Sequence, residues 1–160
     1  GGGTYAFGHH GRFEGTESSD FFVTRFHIEG AQLPLVPTDD VRDVRRRNRF
    51  VEVDTGPPDA EERAVLSVTR TGDAPTLGRA DVSFDLTPEW ASEWVALTTE
   101  TLYADDRRWQ PRLRDALSQF DEGVETVRVV ARTSCCPPLG LRRRTWSVTY
   151  GGDAYEVERK

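Results

Sequence analysis

Only one long stretch of the chain, Asp105 to Gly123, repeats its apolar residues with a helical period. Trp109, Leu113, Ala116, Leu117 and Phe120 fall at i, i+4, i+7, i+8 and i+11, so they stack on one face, while Arg112, Arg114, Asp115 and Gln119 look elsewhere. Almost everything around this stretch alternates with the period of a β-strand. A sheet needs a cover for its apolar face, and this segment has the length and the stripe to provide one. Pro111 is tolerated in a first helical turn and clashes in a later one, which sets the expected start near Gln110. Gly123 is the expected terminator, just past the acids Asp121 and Glu122, which sit at the unfavourable end of the helix dipole.

The strands are read from alternation bounded by glycine and proline. Phe22, Thr24, Phe26 and Ile28 share one side of a segment running from Phe21 to Glu29. Residues 50–54, 64–71, 81–86, 124–133 and 145–150 follow the same rule, and Tyr155 and Val157 continue a last strand after the Gly151-Gly152 turn. Between them, Thr87-Pro88-Glu89-Trp90 has the form of a helix start and reads as a single turn leading into a strand on Val95, Leu97, Thr99, Thr101 and Tyr103. The loops that join residues 50–54, 64–71 and 81–86 are too short for crossover helices, which implies antiparallel pairing. The expected fold is therefore β-rich α+β: a mostly antiparallel sheet of about eight or nine strands, rolled or in a sandwich, with one principal helix around residues 110–122 packed on it. Residues 1–20, rich in glycine, are expected to form a flexible or extended arm, and residues 21–160 a single domain.

Length and composition agree with this class. A chain of 160 residues with 36% hydrophobic and 30% charged residues can bury a core without disulfide or metal staples, and no run approaches the length that crosses a bilayer. The opening Gly1-Gly2-Gly3, in a chain without methionine, reads as a processed end or a scar of expression. The net charge of -6 argues against a surface made for polyanions in general. Lys160 is the only lysine, so arginine in place of lysine reports residue usage and is weak support for phosphate recognition.

Candidate binding residues fall into three groups. Arg45, Arg46, Arg47 and Arg49 end a highly charged segment in which Thr38 or Asp39 is placed to cap a short helical turn, acidic at its start and basic at its end. Such a turn suits an anion or nucleic-acid contact; against that, Asp39, Asp40 and Asp43 neutralise it, and no aromatic residues are interleaved for stacking on bases. Arg142, Arg143 and Arg144 form a second cluster, and only tertiary proximity would join the two. Trp90 and Trp94, four apart, suit either a core or an aromatic wall, and Trp109, Tyr103 and His27 complete the pocket that such a wall implies.

The remaining chemistry is sparse. His9 and His10, as neighbours in an extended chain, point to opposite sides and do not chelate one metal. Cys135 and Cys136 lack the spacing of a zinc or redox motif, and a disulfide between neighbours is strained. There is no phosphate-binding glycine loop, no serine nucleophile elbow and no calcium loop in the sequence. No cofactor and no metal are expected. The expected role is a non-catalytic assembly or interaction module, a subunit of an extracellular, virion or filament structure whose partners are other protein subunits. The alternatives are a small-molecule-binding or enzymatic domain with an aromatic pocket between sheet and helix, and a nucleic-acid contact through the two arginine clusters.

Overall fold

The alternation in the sequence becomes strands in the computed structural model, which describes residues 3–11, 20–28, 34–77, 82–83, 93–103, 109–133 and 144–160. In chain order these are β1 (Gly3–Gly11), β2 (Asp20–Ile28), β3 (Val41–Arg47), β4 (Phe50–Thr55), β5 (Glu62–Asp73), β6 (Val82–Ser83), β7 (Trp94–Ala96), the helices α1 (Thr99–Tyr103) and α2 (Trp109–Leu117), then β8 (Thr126–Thr133), β9 (Thr145–Tyr150) and β10 (Asp153–Arg159).

Two compact units divide the chain, Gly1–Pro34 and Leu35–Lys160. The first holds β1 and β2, antiparallel and in register from Gly3 opposite Ile28 to Gly11 opposite Asp20. Thus β2, expected as the first strand of the large domain, pairs along its whole length with residues expected to form an arm.

In the second unit the strands form one mixed sheet, in the order β3-β4-β8-β5-β10-β9-β7-β6. The pairs β4–β8, β7–β9 and β6–β7 are parallel. The expectation of a mostly antiparallel sheet is corrected here. It assumed that a short loop makes β4 and β5 neighbours, whereas β8, arriving from the far side of α2, inserts between them. The connection leaving β4 crosses the end of β8 at Gly56, which has φ +83° and would place a Cβ 2.2 Å from the Arg132 carbonyl oxygen. Only glycine fits a backbone passing that close in that conformation.

Register turns the apolar side of each strand into a continuous core. Val51 opposes Val127, Val127 opposes Val68, Val68 opposes Val157 and Val157 opposes Trp146, one row across five strands. Val53, Val129 and Leu66 form the next row. All of these side chains are buried. Helix α2 lies against β8 and β5, and its Trp109, Leu113, Ala116 and Leu117 are buried as the stripe predicted. The helix stops at Leu117, short of the expected residue 122. Its last turn tightens, with Gln119 N donating to Ala116 O and Phe120 N to Leu117 O, and Ser118 Oγ donates to the Asp115 carbonyl, a side-chain bond that competes with continued helix. Gly123, with φ +90°, serves the turn before β8 rather than the helix end.

Two further expectations change. The strand read over Val95–Tyr103 ends at Ala96 and gives way to α1. Thr98 caps that helix: its Oγ1 accepts from Thr101 N at 3.2 Å, while Thr101 Oγ1 accepts from Thr98 N at 2.9 Å. This reciprocal pair satisfies donors that a helix start otherwise leaves open. The helical turn expected from Thr38 is strand β3 instead, paired with β4. Asn48, at φ +52°, reverses the chain, a conformation asparagine tolerates better than most residues. A lone helical turn gains one or two hydrogen bonds and a small dipole term, and a strand on the sheet margin gains a whole ladder. The turns at Gly151 and Gly152, with φ +63° and +94°, join β9 to β10 as expected.

Candidate functional site

Because β3 and β4 are antiparallel, Arg45 stands opposite Glu52 and Arg47 opposite Phe50. Successive strand residues face opposite ways. Arg46 therefore lies on the helix side, where it is bound to Asp121 at 2.6 Å. Arg45 and Arg47 lie on the other face of the sheet, which is polar, and Arg49, in the turn, pairs with Glu125 at 2.8 Å. The first arginine cluster is thus split by the pleat and mostly neutralised.

What gathers around Arg45 and Arg47 comes from the neighbouring strands. Arg128 of β8 is the cross-strand partner of Glu52. Glu52 receives Arg45 Nη1 at 3.7 Å and Arg128 Nη1 at 3.8 Å, both within ion-pair range and longer than a hydrogen bond. Arg45 commits its Nε to Asp43 at 2.8 Å. The Arg128 guanidinium lies 5.4 Å from the centre of the Phe50 ring, a cation–π distance, and its Nε is buried with no hydrogen-bond partner. Among the described residues, no carboxylate pairs with Arg47. Arg45, Arg47, Phe50 and Glu52 enclose a depression of about 110 Å³.

Further along the same face, Arg132 grips Asp54 through Nε at 3.0 Å and Nη2 at 3.3 Å. Those hydrogen bonds hold the Asp54 carboxyl below the ordinary carboxylate range, against a smaller push upward from burial. The same pairing raises Arg132. The contrast between the two carboxylates is geometric: Asp54 meets its arginine as a fork, and Glu52 is shared loosely between two.

Among the described residues, the other candidates are not gathered here. Arg144 precedes β9, and five strand steps separate β3 from β9, on the order of 24 Å at ~4.8 Å per step, so Arg144 does not join the first cluster through the sheet. Arg142, Arg143, Trp90, Cys135 and Cys136 lie outside the described residues. Trp94 opposes Ser147 on β9 and is half-buried. Trp109, expected as a wall of the pocket, is core at 4% exposure. Tyr103 is partly exposed beneath the Arg114 guanidinium, 4.6 Å from its ring centre, and its hydroxyl accepts from Val36 N. His27 belongs to the first unit, opposite Thr4. Among the described residues, no three metal-ligating side chains converge and no helix is long and apolar enough to cross a membrane.

Neither family models, nor curated proteins, nor solved structures gave a match to this chain. Arg128, Phe50 and Glu52 were missed by sequence reasoning. The alternation of β8 puts Arg128 on the side away from the core, but only the parallel β4–β8 register brings it to Glu52.

Proposed function

We propose that the chain is a non-catalytic assembly or interaction module, and that its N-terminal ribbon is the part that engages another protein subunit. One observation carries this reading. β1 and β2 pair with each other over nine positions within their own compact unit of Gly1–Pro34. Two strands alone are at best marginally stable in water and need an apolar side covered to be stable. The sequence of β2 nonetheless sets Phe22, Thr24, Phe26 and Ile28 against the more mixed side of Val23, Arg25 and His27, the pattern of a strand made to cover something.

An extended ribbon has two unpaired edges, and adding a strand to a sheet margin is a common mode of protein recognition. In the second unit, β3 is such a margin. An extracellular, virion or filament setting suits a module of this kind. The other two readings have less behind them: the arginine cluster is divided between faces, with Arg46 and Arg49 each paired with an acid, and the aromatic pocket loses Trp109 to the core.

Light scattering on the full chain tests the proposal. Association is expected to rise with concentration and to fall on Phe22→Ser with Phe26→Ser, and amide exchange in residues 3–28 is expected to slow on association. A chain that stays monomeric with fast-exchanging amides there refutes it.

A further inference from the structure

We infer that the depression between β3 and β4 is a binding site for one small oxyanion, a phosphate or carboxylate group carried by a ligand. This goes beyond the assembly role and uses none of the N-terminal ribbon. Two guanidinium groups, those of Arg45 and Arg47, line the depression with Phe50 and Glu52, and a third, that of Arg128, lies beside it over Phe50 and shares Glu52 with Arg45. At 3.7 and 3.8 Å that sharing balances charge without using hydrogen bonds. Asp43 occupies only the Nε of Arg45. The site is therefore left with more donors than acceptors: the terminal nitrogens of Arg45 and the fork of Arg47. Guanidinium groups with open forks are the groups that bind carboxylate and phosphate in two-point fashion.

The surroundings favour a small anion over a flat polyanion. Phe50, half-buried, forms an apolar wall and holds the Arg128 guanidinium by its ring face, which fixes that cation without neutralising it. A volume of about 110 Å³ has room for one such group together with water. Arg46, the next residue along β3, is turned to the other face and closed by Asp121, so the site owes its charge to alternation rather than to the arginine run as a whole.

That division supplies the control. In the full chain, titration with inorganic phosphate and separately with acetate, at constant ionic strength, is followed by amide chemical shifts. Saturable shifts are expected at residues 45–52 and 128. Arg47→Gln is expected to weaken binding about tenfold, the value of one charge-assisted hydrogen-bonded contact, whereas Arg46→Gln, with the same loss of charge, leaves it within about twofold. Tighter phosphate assigns a phosphate group and tighter acetate a carboxylate, and either supports the site. Shifts that do not saturate, or equal weakening by the two variants, overturn it.

Discussion

Asp115, wholly shielded from solvent on α2, accepts the backbone N–H of Thr38 at 2.6 Å and its hydroxyl at 3.1 Å, across 77 positions of sequence. Arg112 completes the carboxylate from the preceding turn at 3.0 Å and reaches on to Asp40. The segment entering β3 is thereby fixed to the helix. Removing one partner of a buried charged pair leaves the other charge unmet. Asp115→Ala is expected to destabilise the fold by about 3–5 kcal/mol, read as a lower midpoint in urea unfolding. Thr38→Val, which keeps the N–H, is expected to cost about 1 kcal/mol.

At Gly56 two demands coincide, a positive φ and a Cβ position 2.2 Å from the Arg132 carbonyl oxygen. Gly151 shares the first demand, with nothing within 4 Å of a Cβ. Gly56→Ala is expected to cost roughly 3 kcal/mol or more, from left-handed strain and overpacking together. Gly151→Ala is expected to cost about 1 kcal/mol. Thermal denaturation of the two variants side by side measures the difference.

Leu113 and Leu117 are 1% and 5% exposed. Leu113→Asp or Leu117→Asp is expected to abolish the cooperative unfolding transition, because each buries an unpaired carboxylate. Arg114 is not inert, since its guanidinium covers the Tyr103 ring. Arg114→Ala is expected to cost about 0.5–1 kcal/mol, and a stable, folded Leu117→Asp protein would show the wrong face of the helix inward.

Stability is expected to fall at both ends of the pH scale for separate reasons. Asp54 is held below its usual value of 3.8 by Arg132, so its contribution is complete above the unfolded value and disappears as pH drops through the lower folded one. Asp54→Asn is expected to flatten the acid limb of the stability curve below about pH 4. Burial, aided by the charge of Asp153, pushes the Tyr155 hydroxyl up from 10.0 to about 12. Its contribution is complete below pH 10 and is lost as pH rises toward 12. Tyr155→Phe is expected to soften that alkaline loss, seen in urea titrations across the interval.

The helix stripe and the core face of most strands were legible because burial on one side stamps a period on the sequence. Leu113, Val127 and Trp146 could be placed from their neighbours alone. Sheet order was not legible. Nothing in Phe50–Thr55 or Glu62–Asp73 says that β8 will separate them, since strand insertion is settled by packing among distant segments. The candidate site suffered for the same reason. Arg45 and Arg47 stood out by composition, but a hairpin at Asn48 was needed to part them from Arg46, and the register with β8 to add Arg128. α1 was misread because alternating threonines suit a strand on average, and the mutual bond of Thr98 and Thr101 tips the balance locally.

Strand β3, at the margin of the sheet, reads Val41-Arg42-Asp43-Val44-Arg45-Arg46-Arg47. Antiparallel pairing of this strand with a second copy of itself, centred on Val44, would set Arg42 against Arg46 twice and Asp43 against Arg45 twice, so that repulsion at one pair of positions meets attraction at the next. The charges of the margin thus neither favour nor bar its own image, and among the described strands none pairs with its outer edge. A strand that paired there with its own image would join two copies as a closed two-fold pair, and one that paired with a different strand of another copy would run head to tail into a ring or a filament.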